Sequence, residues 1–107
     1  HEPSNLIIFI DVNSLIILGS TDECLRLDPI QKKVEGLGIE CFSIDGHNIS
    51  EITNSLDDIG SQKKLSCIIA NTVKGKGSTI MEHKKNWHYW NPMSKEEIKK
   101  TREELKE

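Results

Sequence analysis

Three short runs of apolar residues, each bounded by polar positions, predict three strands. They span residues 6–10, 39–44 and 65–70. Short length, β-branched content and flanking polar residues favour strands over helices for such runs. The first run is apolar at every position, so it predicts a strand buried on both faces, as in a parallel sheet.

Two helices are predicted between these strands from their end signals. Asp28 is the predicted N-cap of the first helix, which has a proline at its first position, and Gly36 and Gly38 mark its end. The second helix is predicted to begin after Asn48 and to close at Gly60. Its apolar face is formed by residues at helical spacing, which are Ile49, Ile52, Leu56 and Ile59.

A charged helix is predicted over residues 94–107. Ser94 and Glu97 form a capping box at its start. Ile98 and Leu105 are its only large apolar residues. This composition favours a helix on the surface or in an interface.

Alternating strands and helices predict the fold class, a parallel α/β sheet with flanking helices and right-handed crossovers. The length predicts a single domain over residues 1–107. Three strands with two apolar faces need more cover than the predicted helices supply. We therefore expect a partial domain that is incomplete at its N-terminal side.

Net charge, the length of the apolar runs and the cysteine content argue against nucleic-acid-binding, membrane-spanning and disulfide-rich proteins. A formal net charge of -3 argues against nonspecific nucleic-acid binding, and no apolar run approaches the length of a membrane span. Cys24, Cys41 and Cys67 are an odd number without Cys-x-x-Cys spacing, so neither a disulfide framework nor a metal cluster is expected. Cys41 and Cys67 lie in apolar runs, which favours core packing. Free cysteines also suit a reducing, cytoplasmic location.

Polar segments follow all three predicted strands, at residues 11–15, 45–48 and 71–77. In parallel α/β sheets the carboxyl ends of the strands lie at one edge, where ligands bind. We therefore expect the three segments to meet at one rim. Asn13 offers a carboxamide oxygen of the kind that Mg²⁺ accepts, although an asparagine after a strand is most often a turn former.

A glycine-rich segment follows the third strand. Gly77 is followed by Ser78 and Thr79 with no lysine between them, and the spacing from Gly75 also differs from a nucleotide P-loop. A nucleotide loop is therefore disfavoured, and a solvated glycine turn remains the plain alternative.

The histidines allow two further interpretations. His47, His83 and His88 form a conceivable zinc set, but no cysteine has ligand spacing to them. His88 lies in an aromatic cluster with Trp87, Tyr89 and Trp90, which predicts that packing holds its ring in place.

In order along the chain, "IFIDVNSLIILGST", "LDPIQKKVEGLGIECFSIDGHN" and "IIANTVKGKGSTIMEHKKNWH" resemble successive blocks of the diphosphate-binding domain of transketolase. The resemblance runs from about residue 5 to residue 104. It implies a parallel α/β domain that holds thiamine diphosphate through Mg²⁺, for which Ca²⁺ is a possible substitute. The implied reaction is transfer of a two-carbon ketol unit between sugar phosphates, as in pentose phosphate metabolism.

The resemblance also implies roles for single residues. Asn13 matches the asparagine whose side chain ligates the metal, and Leu15 matches the position whose backbone carbonyl ligates it. Gly75 and Gly77 match the glycines that let the backbone approach the cofactor. His88 matches the histidine that contacts the cofactor and helps to bind substrate, which is the one catalytic role implied. His47 matches an Asp-Gly-His turn, where a structural role is expected.

Some family features differ or are missing. Ser14 and Tyr89 stand where the family usually has glycine. The chain also lacks the Gly-Asp-Gly segment, whose aspartate is a metal ligand, and the domain that binds the aminopyrimidine. We therefore expect the isolated chain to be inactive and to need the rest of a transketolase chain or a complementary subunit, with a dimer as the complete form. The alternative is a non-catalytic relic or interaction module that keeps the fold without the cofactor.

Overall fold

The computed structural model describes residues 3–89 and 92–106, and they fall into two compact units. The sheet unit comprises the described residues up to Val12 together with Leu27–Thr72. The loop unit comprises Asn13–Arg26 together with the described residues from Val73 onward. In chain order the elements are β1 (Ile7–Val12), β2 (Leu15–Ile16), β3 (Gly19–Ser20), α1 (Thr21–Cys24), α2 (Ile30–Glu35), β4 (Glu40–Asp45), α3 (Ile49–Gln62), β5 (Ser66–Asn71), a 3₁₀ turn (Lys85–His88) and α4 (Lys95–Glu104).

The sheet unit contains a parallel three-stranded sheet in the order β1-β5-β4. This confirms the predicted α/β class and the three predicted strands. Strand β5 is central and is buried along its length except at Asn71. The core is built around its Ile68, which packs with Ile44 of β4 and Ile59 of α3.

Strand β1 differs from its prediction, because it is not buried on both faces. It is an edge strand, and the side chains of Ile7 and Phe9 are 38% and 50% exposed. Helices α2 and α3 both pack against β4. The apolar pattern of β1 predicted a strand correctly. Whether that strand is buried depends on helix packing, and α2 and α3 pack against β4.

The helix boundaries are confirmed in part. Asn48 caps α3 by accepting the N–H groups of Ser50 and Glu51 at 3.1 and 3.3 Å. The helix continues past Gly60 to Gln62, so the predicted stop at this glycine was wrong. The N-cap of α2 is Pro29 and not Asp28, because Pro29 itself has extended backbone angles.

The buried face of α3 is narrower than predicted. Ile59 is buried and Ile52 packs against the core, but Ile49 and Leu56 are exposed. Ser55 is buried instead. Its position between Ile52 and Ile59 on the same side of the helix fits the observed face.

The loop unit contains a short antiparallel hairpin, β2 and β3, and the helices α1 and α4. The capping box of Ser94 and Glu97 at the start of α4 is confirmed, and the helix ends at Glu104, inside the predicted range of 94–107. Among the described residues, no helix has the length and apolar character needed to cross a membrane.

The three cysteines differ in exposure, which predicts their order of reaction. Cys41 and Cys67 are direct neighbours on β4 and β5, and burial, together with Cys67, raises the pKa of the Cys41 thiol to about 11 from an ordinary 9.0. Cys24 is exposed. Because the thiolate is the reactive form, iodoacetamide at neutral pH should modify Cys41 at least about 100-fold more slowly than Cys24.

Mass spectrometry of the native chain tests this order. One adduct at Cys24 is expected first, and a Cys24→Ser variant should take up reagent at least about 100-fold more slowly until it is unfolded. Modification of Cys41 or Cys67 at the rate of Cys24 would contradict the raised pKa of the half-buried Cys41 thiol or the burial of Cys67.

Candidate functional site

The carboxyl ends of the three parallel strands form a rim in the sheet unit. Asn71 is paired in register with Val12 on one side and with Asp45 on the other. The Asn71 carboxamide donates to the carbonyl of Ile44 at 3.1 Å, and the N–H of Gly46 donates to the carbonyl of Asn71 at 2.8 Å. The predicted convergence of the polar segments is thus confirmed for the residues where the strands end.

Several polar groups at this rim are already hydrogen-bonded to neighbouring residues. The hydroxyl of Thr72 donates to the Asp11 carboxylate, and the N–H of Thr72 donates to the carbonyl of Val12 at 3.0 Å. The N–H of His47 donates to the Asp45 carboxylate at 2.9 Å, which closes the turn after β4. The bond uses the backbone of His47, so the structural role expected for its imidazole stays a prediction.

Asn13 and Leu15 are joined directly. The Asn13 carboxamide oxygen accepts the N–H of Leu15 at 3.1 Å, and both residues are half-buried. The residue between them, Ser14, has a φ of 59°. A left-handed backbone costs an ordinary residue roughly 1–2 kcal/mol. This cost explains why glycine is the expected residue at position 14. The bond to Leu15 uses one lone pair of the Asn13 carboxamide oxygen and leaves the second for a ligand.

The two glycines after β5 are required by the fold of their own loop. Both have positive φ, 72° at Gly75 and 95° at Gly77. A Cβ on Gly75 would lie 2.5 Å from the Cβ of Met81, and a Cβ on Gly77 would lie 2.9 Å from Cδ2 of Leu105. The left-handed backbone at both positions, with the close approach of Met81 at Gly75, therefore accounts for both glycines, and the approach of a cofactor remains a prediction.

Two backbone donors of the glycine loop, residues 73–79, are bonded to carboxylates. The N–H of Gly77 donates to Glu82 at 3.1 Å, and the N–H of Thr79 donates to Glu104 at 3.0 Å. The ammonium of Lys76 lies 3.8 Å from the Glu82 carboxylate. The Glu82 and Glu104 carboxylates therefore bind two backbone N–H groups that an anionic ligand could otherwise bind.

His88 ends the 3₁₀ turn, which packs against β2, the strand that contains Leu15. The turn is anchored by the Trp87 indole N–H, which donates to the carbonyl of Ile80 at 2.9 Å. The rings of His88 and Tyr89 meet edge to face, with their centres 5.6 Å apart.

The predicted packing of the aromatic cluster is only partly correct. Trp87 is half-buried, whereas His88 is exposed and Tyr89 is 68% exposed. Trp90, the last member of the predicted cluster, lies outside the described residues. The indole is thus the anchor, and the His88 imidazole is presented to solvent.

All five residues predicted to bind cofactor or metal belong to the loop unit, and they are Asn13, Leu15, Gly75, Gly77 and His88. The contact of β2 with the 3₁₀ turn brings the strand of the predicted metal ligand Leu15 to the segment of the predicted catalytic residue. Sequence order alone separates these two elements by most of the chain.

The donor set fits Mg²⁺ in kind. Asn13 and Leu15 offer hard oxygen atoms, which Mg²⁺ prefers, but both are uncharged. Within residues 3–89 and 92–106, no three His, Cys, Asp or Glu side chains are grouped to hold a metal. This leaves the zinc interpretation without a ligand set among those residues, and the predicted Mg²⁺ ligands Asn13 and Leu15 without a neighbouring group of carboxylates.

A cavity of about 970 Å³ opens at the amino ends of β4 and β5. Its charged lining includes Glu35, Glu40, Lys63 and Lys64. Parallel α/β sheets bind ligands at the opposite, carboxyl ends of their strands, and none of the predicted site residues lines this cavity. We therefore assign it no part in the candidate site.

The residues that hold the glycine loop from α4, Thr101 and Glu104, were not predicted from the sequence. The sequence pattern that could have indicated them is the spacing of Thr101, Glu104 and Leu105, which places these residues on one side of the chain at the end of α4. On a highly charged helix this signal is weak, because polar residues at such spacing usually face solvent.

Comparison with known proteins gives consistent results. The model of the family described as "Transketolase, thiamine diphosphate binding domain" matches residues 2–106. An apulose-4-phosphate transketolase subunit of Actinobacillus succinogenes is 37% identical over the whole chain, and the 6-deoxy-6-sulfo-D-fructose transketolase subunit SqwG of a Clostridium species is 41% identical over 75% of it. The chain spans 38% and 30% of these two relatives.

A solved structure agrees with this match. The transketolase of Campylobacter jejuni superposes with a TM-score of 0.79 over 94% of this chain, at 28% identity. The matched region is 16% of that transketolase chain.

Proposed function

Because the chain belongs to the family of transketolase thiamine diphosphate binding domains, we propose that it anchors the diphosphate of that cofactor through Mg²⁺ in a transketolase-like enzyme. The reaction would be two-carbon ketol transfer between sugar phosphates. The observation that carries the proposal is the contact between β2 and the 3₁₀ turn, because it links the strand of Leu15 to the turn of His88 within the loop unit.

The residues of this chain would have separate tasks. The carboxamide oxygen of Asn13 and the carbonyl oxygen of Leu15 would hold Mg²⁺. When bound, thiamine diphosphate supplies the nucleophilic carbon and the electron sink for the transfer. The imidazole of His88 is exposed and would hydrogen-bond a substrate hydroxyl or hold its proton.

The chain would depend on a partner for the rest of the site. Mg²⁺ gives up its water reluctantly and usually takes one or two carboxylates besides substrate phosphates. Asn13 and Leu15 provide neither, so we infer a complementary segment with a Gly-Asp-Gly aspartate and a pyrimidine-binding domain. That the similar proteins from Actinobacillus succinogenes and a Clostridium species are called subunits, and are much longer than this chain, supports a complementary subunit or further chain. The complete form would be a dimer.

Tyr89 is the first candidate for a role in substrate choice. Its ring packs edge to face on His88, so it restricts one side of the space next to the imidazole. The similar subunits are named for different sugars, so substrate choice differs among proteins similar to this chain. We propose sugar phosphates as the substrate class.

A non-catalytic module is the second candidate function. The carboxylates of Glu82 and Glu104 satisfy the N–H groups of Gly77 and Thr79 without any cofactor, which favours a fold that is stable alone. If the complete protein neither binds thiamine diphosphate nor responds to Mg²⁺, this second function replaces the first.

Substitutions of His88 and of Asn13 in the complete enzyme should change different kinetic quantities. His88→Ala should lower kcat by about 100-fold with little change in the Mg²⁺ requirement, because the imidazole faces the substrate. Asn13→Ala should raise the Mg²⁺ concentration for half-maximal rate by about 10-fold or more, because it removes a metal ligand. Steady-state kinetics over a Mg²⁺ series measures both.

His83→Ala is the matched control, since His83 is an exposed histidine five positions before His88 on the same unit. It should change neither quantity by more than about twofold. If His88→Ala and Asn13→Ala share one pattern, the separate roles are refuted.

A further inference from the structure

We propose that α4 clamps the glycine loop and that Glu104 is the positioning residue that sets the geometry of the loop for the diphosphate. The proposal rests on the proposed function, since it gives the loop a ligand to be positioned for. It assigns a purpose to a helix whose charged sequence otherwise predicts only a solvated surface element.

The first contact joins the end of α4 to Thr79. One oxygen of Glu104 accepts the Thr79 N–H at 3.0 Å, and the other accepts the Thr79 hydroxyl. The Glu104 side chain is only 20% exposed, and Lys100 lies 3.7 Å from it one turn earlier. Both carboxylate oxygens are thus directed at one loop residue, so the side chain and backbone of Thr79 are fixed together.

Two further contacts join the same face of the helix to the residues just before Thr79. The hydroxyls of Ser78 and Thr101 are 3.4 Å apart and buried. The Leu105 side chain lies against Gly77, where a Cβ would come within 2.9 Å of its Cδ2. Consecutive loop residues therefore meet helix positions that are three and four residues apart and lie on one face.

The loop needs such support because its conformation is costly. Gly75 and Gly77 both have positive φ, and glycine loses more backbone freedom on folding than any other residue. The Gly77 N–H is held by Glu82, and the Ser78 N–H donates to the carbonyl of Gly75 at 3.1 Å. The N–H and the hydroxyl of Thr79 are both held by Glu104 of α4. Without Glu104, Thr79 and the end of the loop would sample other conformations.

The charge of Glu104 has a predictable pH dependence. The hydrogen bond from the Thr79 hydroxyl, with help from Lys100, holds the pKa of this carboxyl below its ordinary value. A depressed pKa means that the contact stabilises the fold above the pKa of the unfolded chain and is lost as the pH falls through the lower, folded value. The clamp should therefore be intact at neutral pH and should open only in acid.

Amide hydrogen exchange of the 107-residue chain, followed residue by residue by NMR, tests the clamp. Glu104→Ala should raise the exchange rate of the Thr79 amide by about tenfold or more at neutral pH. Glu104→Gln keeps one acceptor oxygen and should give an intermediate rate. Glu103→Ala is the matched control, because Glu103 is in the same turn and pairs only with Lys99, at 3.9 Å, among the contacts of the described residues. It should leave Thr79 within about twofold of the wild type.

An unchanged Thr79 rate in Glu104→Ala, with α4 still helical by circular dichroism, overturns the clamp. If Glu104→Ala unfolds α4, Thr79→Val decides instead, because it removes the hydroxyl donor from the loop side and leaves the helix sequence intact. Faster exchange of the position-79 amide in that variant supports the clamp, and an unchanged rate refutes it.

Kinetics of the complete enzyme separate the clamp from the proposed function. Glu104→Ala should raise the KM for thiamine diphosphate by about tenfold and leave kcat within about twofold, because the residue shapes the binding loop and does not touch the reacting atoms. An unchanged KM with a loosened loop overturns the positioning role. If the wild-type complete protein does not use thiamine diphosphate, the proposed function fails, while the exchange rates still decide whether α4 clamps the loop.

Discussion

Replacement of Gly75 by alanine should destabilise the loop unit by roughly 2–4 kcal/mol. The backbone at Gly75 has a φ of 72°, which alone costs an alanine roughly 1–2 kcal/mol. The added methyl group would also lie 2.5 Å from Met81 Cβ and 2.7 and 2.8 Å from the backbone carbon and oxygen of Met81. Backbone atoms cannot rotate away as a flexible side chain can, so the loop itself must move. Urea unfolding followed by tryptophan fluorescence measures the loss.

Two other glycines provide matched controls. Gly38 has a φ of 78° with open space where the Cβ would be, so its alanine variant should lose only the roughly 1–2 kcal/mol of the backbone term. Gly60 lies inside α3 with no atom within 4 Å of an added Cβ, so Gly60→Ala should stabilise by about 0.5–1 kcal/mol. If Gly75→Ala costs no more than Gly38→Ala, the close approach of Met81 is wrong.

Completion of the site should raise the affinity for Mg²⁺ and thiamine diphosphate by about 100-fold or more. Alone, the chain offers Mg²⁺ two uncharged oxygens, from Asn13 and Leu15. The carboxylates nearest the glycine loop, Glu82 and Glu104, are bonded to loop N–H groups and are not directed at Asn13 by any contact in the described residues. A complementary segment would add the missing carboxylate and the rest of the cofactor pocket.

Ketol-transfer activity should follow the same rule. The chain alone should give no activity above background, and its mixture or coexpression with a complementary transketolase subunit should give turnover. Asn13→Ala in the mixture is the control, because it removes one proposed ligand, and circular dichroism checks its fold, since the Asn13 carboxamide also accepts the N–H of Leu15. Turnover by the lone chain would refute the dependence on a partner.

Features of the fold that depend on local chemistry were predictable from the sequence. The caps at Asn48 and Ser94 belong to this group, because each side chain bonds to backbone groups two or three residues away. The parallel arrangement of the strands followed from the alternation of strands and helices. The exposure of Phe9 on β1 was not predictable, because it depends on the docking of α2 and α3 on β4 and not on the pattern of β1 itself.

In the candidate site, too, some features could be predicted from the sequence and others could not. The glycines at 75 and 77 could be recognised from sequence as places of unusual backbone, and both have positive φ. The bond from Thr79 to Glu104 could not be recognised, because it joins residues 25 positions apart through a surface that carries no apolar signal. The exposure of His88 was also missed, since aromatic neighbours predict packing but do not say which ring is buried.

Isothermal titration of the isolated chain with thiamine diphosphate in the presence of Mg²⁺ decides whether this chain is a partial or a sufficient cofactor site. Asn13 and Leu15 would give the metal only two uncharged oxygens, so we expect no binding in the micromolar range by the chain alone. Micromolar binding should appear once a complementary subunit is added. Micromolar binding by the chain alone would contradict the proposed dependence on a partner, because Asn13, Leu15 and the glycine loop would then be enough to hold the cofactor.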